Sequence, residues 1–272
     1  MNLYVSLNSF KAALGMQGGG AQTDERDDEF LRHLDATSRG IESACDRYFY
    51  PYTATKTFDT RGLSEFWFPP YADLLSVTGV TVDADGDGTF EVTLVENTDF
   101  RLLPYDQACK RAIRLMSRSA LLTSFTERDY SLRIAGRWGY TLGTELVTTT
   151  TEELDASETG VDFTVAEPLV SAGDTIVVDS EDMYVSAAQG GTLTVMRAVN
   201  GTVAATHLTA ASVYRRRYER DIEEATLFQA VRFWREKQTG GASNVGGEFG
   251  SSFSTLYPAI RDMLVRHRRV IV

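Results

Sequence analysis

Residues 24–51, DERDDEFLRHLDATSRGIESACDRYFYP, decide how the first part of this 272-residue chain folds. Apolar and small residues recur in it every three or four positions, at Phe30, Leu31, Leu34, Ser38, Ile41, Ala44, Cys45 and Tyr48. This spacing places them along one stripe of a helix, with polar residues opposite. Thr23 or Asp24 can cap the helix, and the acids of the first turn suit the positive end of its dipole. The stretch predicts a long amphipathic helix that stops before Pro51, because a residue before proline avoids helical backbone angles.

The periodicity changes between residues 53 and 140. Short segments such as Leu132-Arg133-Ile134 alternate between apolar and polar residues, as half-buried strands do. Residues 107–116 fit either a strand or a short helix. A threonine-rich linker, 144–155, then leads to further short strands separated by glycines, a pattern typical of a small all-β module.

Helical spacing returns near the end of the chain, around residues 221–237 and 258–267. Together these patterns predict an α+β fold. Its helical core would consist of the long N-terminal helix and the C-terminal helices, joined by a β-rich segment and a small all-β inserted module. We expect three parts: residues 1–147, helices then the β-rich segment; 148–213, the inserted module; and 214–272, the C-terminal helices with a flexible Gly/Ser loop.

The charge of the chain limits its relation to nucleic acid. The formal net charge is −11, which argues against a protein that binds DNA by displacing counterions from phosphates. It is compatible with a wall past which DNA slides without sticking. The charge is uneven, because residues 145–182 contain no Lys or Arg, whereas 257–272 contain four Arg and a single Asp.

The cysteines and the hydropathy predict an intracellular site of assembly. Cys45 and Cys109 have neither the spacing of a metal site nor the number needed for a disulfide framework. Cys45 falls on the apolar stripe, so we expect a buried free thiol in a reducing cytoplasm. No apolar run is long enough to span a bilayer, and the N-terminus lacks the positive region of a signal peptide. We therefore expect no membrane partner.

A short acidic stretch, Asp83-Ala84-Asp85-Gly86-Asp87-Gly88, matches the first half of a calcium-binding loop. Asp83, Asp85 and Asp87 are the candidate ligands. The twelfth position of the loop, where a bidentate Glu closes the calcium shell, is Leu94, and Glu96 comes two residues late. Two Asp-Gly pairs between alternating segments also predict a hairpin turn. A weak calcium site and a plain solvated hairpin therefore both remain open.

Motifs of catalysis are absent from the sequence. It contains no phosphate-binding Gly-x-x-x-x-Gly-Lys, no Gly-x-Ser-x-Gly and no His-Glu-x-x-His. His33, His207 and His267 lie in three distant parts of the chain, and the acidic pairs are too numerous to single out a catalytic one. We predict a protein that is not an enzyme and needs no cofactor.

Three segments in this order resemble the tailed-phage head–tail connector adaptor family: Cys45-Asp46-Arg47-Tyr48-Phe49, Gly136-Arg137-Trp138-Gly139-Tyr140, and the helix around Ile222 to Trp234. The resemblance implies a structural protein of the virion, assembled in the host cytoplasm, that binds the portal protein. It implies a ring of twelve copies, matching the symmetry of the portal, that extends the DNA channel and offers a platform to the next neck or tail protein. Genomic DNA would pass through without sequence-specific binding.

The resemblance also implies which residues make these contacts. Members of the family dock their C-terminal segment onto the portal, which here indicates Tyr257, Ile260, Arg261, Leu264, Arg266, Arg268 and Arg269. The helix 221–237 is apolar on several sides, as helices buried or shared between subunits are. We therefore expect the subunit interface to include Phe228, Trp234, and, from the Gly/Ser-rich loop, Phe249 and Phe253.

Two alternatives remain open from the sequence. Segments of the β module, such as Leu193-Thr194-Val195-Met196, resemble a β element that recurs in phage virion proteins. The chain would then be a tail or baseplate component that uses this module to bind a host surface or glycan. Its few aromatic residues, Phe163, Tyr184 and Tyr214, count against a glycan site. The other alternative is a cell-wall hydrolase, which a zymogram of the purified protein would reveal.

Overall fold

The computed structural model describes residues 2–16, 26–162, 169–189, 192–238 and 256–269. The chain forms two compact units. The first unit comprises Met1–Cys45 and Gly143–Arg268, and the second comprises Asp46–Leu142 and Arg269–Val272.

All the α-helices in the described part of the chain belong to the first unit. They are α1 (Leu7–Ala13), α2 (Asp27–Cys45), α3 (Arg220–Gln238) and α4 (Pro258–Leu264). The predicted amphipathic helix is therefore present as α2, with three acids in its first turn. It ends at Cys45, well before Pro51, because Asp46 adopts a left-handed conformation with φ of 55°.

The second unit is built from seven antiparallel strands. They are β1 (Tyr52–Arg61), β2 (Glu65–Trp67), β3 (Leu74–Val82), β4 (Val92–Leu94), β5 (Phe100–Leu103), β6 (Ala112–Leu115) and β7 (Glu127–Trp138). One sheet has the order β1-β7-β3-β4 and the other the order β2-β6-β5. Residues from both sheets, including Phe58, Ile113 and Trp138, share one buried cluster. The ambiguous residues 107–116 thus contain a strand, β6.

A six-stranded antiparallel sheet completes the first unit. Its strands are β8 (Thr144–Thr149), β9 (Gly160–Asp162), β10 (Thr175–Val178), β11 (Glu181–Gln189), β12 (Thr192–Met196) and β13 (Ser212–Arg216). Their order is β8-β13-β10-β11-β12-β9. One face buries Ile176, Met183 and Val195 in a core of its own. The helices pack in a separate cluster, where Phe30 of α2 meets Trp234 of α3 edge-on at 4.7 Å between ring centroids.

The prediction of mixed α and β structure is confirmed, but the prediction of a helical core is wrong. In the described residues, strands form two of the three buried clusters, and helices dominate only the third. The physical reason is that paired sheets bury alternate residues of every strand, whereas α2 and α3 each bury one stripe. The β strands of 144–216 lie in the same unit as the helices. The division of the chain at residues 147 and 213 stays a prediction. That 148–213 is an insertion with its own role stays a prediction.

Candidate functional site

Two of the segments that carry the family resemblance meet in the second unit. Phe49 lies 5.6 Å from Tyr140, ring centroid to ring centroid, in an edge-on contact. The guanidinium of Arg47 lies 4.7 Å from the centre of the Tyr140 ring, close enough for a cation–π interaction. The amide of Thr141 donates a hydrogen bond to the carbonyl of Phe49 at 3.3 Å. Residues about ninety positions apart thus form one local structure.

The glycines of the second segment are required by close backbone contacts. A Cβ at Gly136 would lie 2.3 Å from the carbonyl oxygen of Ser76, at a point where β3 shifts register against β7. A Cβ at Gly139, whose φ is 128°, would lie 2.3 Å from the carbonyl oxygen of Tyr50. Any side chain at these two positions would force the backbones apart. The Gly-x-x-Gly spacing of this segment therefore follows from packing.

Asp73 is the charged centre of this region. Its side chain is 1% exposed and forms ion pairs with two arginines, Arg47 Nη1 at 3.2 Å and Arg269 Nη1 at 2.9 Å. Arg269 also donates a hydrogen bond to the carbonyl of Phe68. Burial lowers the pKa of Arg269, although Asp73 opposes this effect. We refer to Arg47, Asp73 and Arg269 as the arginine cluster; it ties the last described residue of the chain to the body of the second unit.

Cys109 lies beside the arginine cluster, with its Sγ 3.9 Å from Arg47 Nη1. Burial and the negative charge of Asp73 raise the pKa of its thiol to about 12. A thiol with so high a pKa is a poor nucleophile near neutral pH, because the thiolate is the reactive form. Cys45 is buried outside any disulfide, as the sequence predicted, and Cys109 is also buried outside any disulfide.

Next to the cluster lie four half-buried tyrosines, two of which, Tyr52 and Tyr71, contact Lys56. Tyr48 contacts the rings of Tyr50, Tyr52 and Tyr71 at centroid distances of 5.5, 5.8 and 5.0 Å. Lys56 Nζ lies 4.9 Å from the Trp138 ring and donates to the carbonyl of Tyr71 at 2.9 Å. Burial lowers the pKa of Lys56 to about 8, against the opposing effect of Asp73. Tyrosines present large, rigid and amphipathic contact area, which suits protein recognition better than bond chemistry.

The C-terminal candidates divide into buried and exposed residues. Ile260 and Leu264 of α4 are buried, and Arg269 is buried in the arginine cluster. Tyr257 is 52% exposed, and Arg261, Arg266 and Arg268 are also exposed. The turn that follows α4 is held to α3, because Arg266 Nε and His267 Nε2 each lie 3.2 Å from an oxygen of Asp221.

The two described candidates for the subunit interface also divide into one buried and one exposed residue. Trp234 is 5% exposed and packs edge-on against Phe10, Phe30 and His33 inside the first unit. Phe228, six residues earlier on another face of α3, is 56% exposed. Phe249 and Phe253 lie outside the described residues. His33 of α2 takes part in this aromatic cluster, and its Nε2 is 2.8 Å from the carbonyl oxygen of Ala230.

The acidic hairpin brings four carboxylates together. Oxygens of Asp83, Asp85, Asp87 and Glu91 all lie within 4.8 Å of one another. Each of these carboxylates already accepts a backbone hydrogen bond; Asp83, for example, accepts from the amides of Gly86 and Gly88. Those bonds are the ones expected in a tight Asp-Gly turn. Glu91 joins the cluster although the sequence reading did not include it, and calcium binding here stays a prediction.

A second buried ionic network lies in the first unit, around Glu181. Its carboxylate accepts from Arg197 at 2.7 and 2.8 Å, and from the amides of Ala198 and Ala205 at 3.0 Å each. His207 is clamped between Glu181 and Asp179, with nitrogen–oxygen distances of 2.9 and 2.7 Å. Burial alone would raise the pKa of the Glu181 carboxyl, but the hydrogen bonds outweigh it and hold the pKa at about 2.

Aromatic residues of the β module give little support to a glycan-binding surface. Tyr184 is 6% exposed and Tyr214 is 36% exposed, while Phe163 lies outside the described residues. Glycan sites stack sugars on exposed rings, so neither described tyrosine offers a broad platform.

Among the described residues, no helix combines the length and the apolar character needed to cross a bilayer.

Comparison with known proteins finds likeness only among solved structures. No family model and no curated sequence matches the chain. A chain from the neck of an empty gene transfer agent particle, computed with C6 symmetry, has a TM-score of 0.44 at 14% identity, covering 99% of this chain and 91% of that one. A chain from the native gene transfer agent virion has a TM-score of 0.46 at 12% identity, covering 99% and 91%. A chain from the native neck, computed with C12 symmetry, has a TM-score of 0.39 at 12% identity, covering 94% and 97%. At these TM-scores the likeness assigns no function to this chain.

Proposed function

We propose that this chain is a structural virion protein of a phage-like particle, a head–tail connector adaptor that binds the portal. The observation that supports this best is the convergence of the segments carrying the family resemblance. Arg47 and Phe49 from one segment contact Tyr140 from the other, and Gly139 of that second segment permits its close approach to the backbone of Tyr50. A family pattern that folds into one structure is better support than the same residues scattered over the chain.

In this proposal the exposed part of the C-terminal segment contacts the portal. Tyr257, Arg261, Arg266 and Arg268 are accessible on a chain that is acidic as a whole. Arginines can pair with portal carboxylates and set the register and rate of docking more than its affinity. Ile260, Leu264 and Arg269 are buried in the monomer, so they anchor the segment rather than meet the portal directly.

The same reasoning gives the remaining roles. Copies of the chain form a ring, twelve if they match a portal of that symmetry, and the ring extends the channel through which the genome passes. The net charge of −11 suits a channel wall, because it repels phosphates instead of binding them. The free face of the ring receives the next neck or tail protein.

Charge reversal of the exposed arginines tests the portal contact. The triple variant Arg261→Glu, Arg266→Glu, Arg268→Glu should lose most of its capture by immobilised portal rings, while its melting temperature stays near that of the wild type. The matched control, Arg32→Glu, Arg61→Glu, Arg220→Glu, makes the same charge change at three other exposed sites and should bind normally. Equal binding by both triples would remove the C-terminal segment from the portal contact. Particles that lack the protein yet keep their genome and join tails normally would overturn the whole proposal.

A further inference from the structure

On one face of the three-stranded sheet β2-β6-β5, Trp67, Arg101 and Arg114 are exposed, although Leu103 and Ala112 on the same face are buried. In its register Glu65 lies opposite Arg114, and Arg114 lies opposite Arg101. Residues directly opposite each other in an antiparallel sheet share a face, so these three side chains lie in one row, and Trp67 lies on the same face two residues from Glu65. The other face contributes Phe66, Leu102 and Ile113 to the buried core.

This outer face has the composition of an interaction hot spot. Trp67 is 47% exposed and Tyr105 is 55% exposed, and the guanidinium of Arg101 lies 5.8 Å from the Tyr105 ring. The Arg114 side chain is 50% exposed and pairs with Glu65. We name Glu65, Trp67, Arg101, Tyr105 and Arg114 the aromatic–arginine face. Tryptophan, tyrosine and arginine are the residue types that dominate binding energy at protein interfaces.

The charges of the two units differ sharply. The first unit has 25 Asp and Glu against 15 Lys and Arg, a net charge of −10, and the second has 13 against 12, a net charge of −1. Around the aromatic–arginine face the balance is positive, because residues 95–120 contain five Lys and Arg against three Asp and Glu. Four of those cations, at 110, 111, 114 and 118, are on or beside β6.

We infer that the aromatic–arginine face binds the acid-rich first unit of a second copy of this chain. Two copies of the face would repel each other, so the contact joins different surfaces of the two copies. Such a heterologous contact, repeated, generates a closed ring when the rotation closes. The inference deepens the proposed function by naming the surface through which the ring forms. Trp67 would supply buried apolar area at the centre, and Arg101 and Arg114 would pair with carboxylates at the rim.

A photo-crosslinker at position 67 tests the inference on the full chain. Trp67 is replaced by p-benzoylphenylalanine, and unlabelled and ¹⁵N-labelled copies of this variant are mixed before irradiation. A crosslink that joins an unlabelled peptide to a ¹⁵N-labelled peptide must then be intermolecular. We expect mixed-label crosslinks to peptides from residues 1–45 or 143–268. The matched control replaces Tyr130, which is 71% exposed in the same unit, with p-benzoylphenylalanine. This variant should give only the background yield of mixed-label crosslinks.

Charge reversal completes the test. Arg101→Glu with Arg114→Glu should lower the crosslink yield about fivefold, the effect expected for two exposed ion pairs. Circular dichroism of this variant checks that the fold is unchanged, and Arg101→Glu alone serves if the pair of changes unfolds the sheet. A yield no higher than that of Tyr130, crosslinks within residues 46–142 of the partner, or a yield unaffected by charge reversal would each overturn the inference. The assay contains no portal, so its failure is distinct from failure of portal capture.

Discussion

The two units solve the problem of buried charge in different ways. In the first unit, Glu181 finds its partners nearby, with Arg197 16 residues and His207 26 residues further along the chain. In the second unit, Asp73 pairs with Arg269, which is 196 residues away. A carboxylate removed from water needs compensating donors wherever it lies. The β module supplies those donors from its own sequence, whereas Asp73 of the second unit pairs with Arg47 nearby but takes its second arginine, Arg269, from the far end of the chain.

This difference predicts that the two networks fail differently. Loss of Glu181 should disrupt the six-stranded sheet of the first unit and leave the second unit folded. Loss of Arg269 should weaken the second unit and free the last residues of the chain. Two variants test the contrast directly and a third tests another buried carboxylate of the first unit, Glu42; they follow from the largest expected effect to the smallest.

Glu181→Ala should have the largest effect. It leaves Arg197 and His207 buried without their carboxylate, which costs on the order of 4 kcal/mol of unfolding free energy. Chemical denaturation followed by fluorescence measures the loss. The control is Asp179→Ala, at a side chain 63% exposed that shares only His207, and it should cost less than about 1 kcal/mol.

The same variant has a predicted pH dependence. Because the pKa of Glu181 is about 2, below its ordinary value of 4.5, the ionised form is favoured by folding. Its contribution is complete above about pH 4.5 and is lost as the pH falls towards 2. The difference between wild type and Glu181→Ala should therefore shrink over that range, and a difference that stays constant would contradict the assigned role.

Arg269→Ala should have an intermediate effect, about 3 kcal/mol, because Asp73 keeps Arg47 as a partner. The matched control is Arg268→Ala, which removes the exposed arginine next to Arg269 and should lower the unfolding free energy by less than about 0.5 kcal/mol. Thermal melting measures stability, and limited proteolysis should show earlier cleavage near the C-terminus only in Arg269→Ala. Equal stability of the two variants would mean that the arginine cluster does not anchor the chain end.

Glu42→Gln should have the smallest effect, and one that changes with pH. Glu42 is 3% exposed on α2, and it accepts a hydrogen bond from Tyr4 and pairs with Arg39. Burial raises the pKa of Glu42 to about 7, although the Tyr4 hydrogen bond and Arg39 oppose the rise. The folded state therefore binds more protons than the unfolded chain between about pH 4.5 and 7, and stability falls as the pH rises through that window.

Glutamine does not titrate, so the variant lacks this pH dependence. The unfolding free energy of Glu42→Gln, relative to that of the wild type, should therefore be about 2 kcal/mol higher at pH 8 than at pH 5. Urea denaturation at both pH values measures the gain, with Glu224→Gln on the exposed face of α3 as a control that should show none. If the unfolding free energies of wild type and Glu42→Gln change by the same amount between pH 5 and pH 8, the raised pKa of Glu42 is contradicted.

Local patterns predicted much of the secondary structure. The three-to-four spacing of α2 and the alternation in β7 are properties of short segments, and both elements are present. The dominance of strands in the core was not predicted, because alternation does not reveal how many sheets will pack together. In the candidate site, the sequence singled out Arg47, Phe49 and the Gly136–Tyr140 segment through family resemblance. It missed Asp73 and Lys56, for which the only available signal was the density of tyrosines around position 50.

The sequence by itself determined the positions and periods of the helices and most strands, the excess of acidic residues and the motifs that resemble a connector protein. These follow from residues close together in the chain. Only the tertiary structure decided that Arg269 is buried against Asp73, that Trp234 lies inside the first unit, and that Trp67 lies on an exposed face. Pairing across 196 residues and the choice of which apolar side chains stay exposed depend on how the sheets and helices pack, and no local pattern records that.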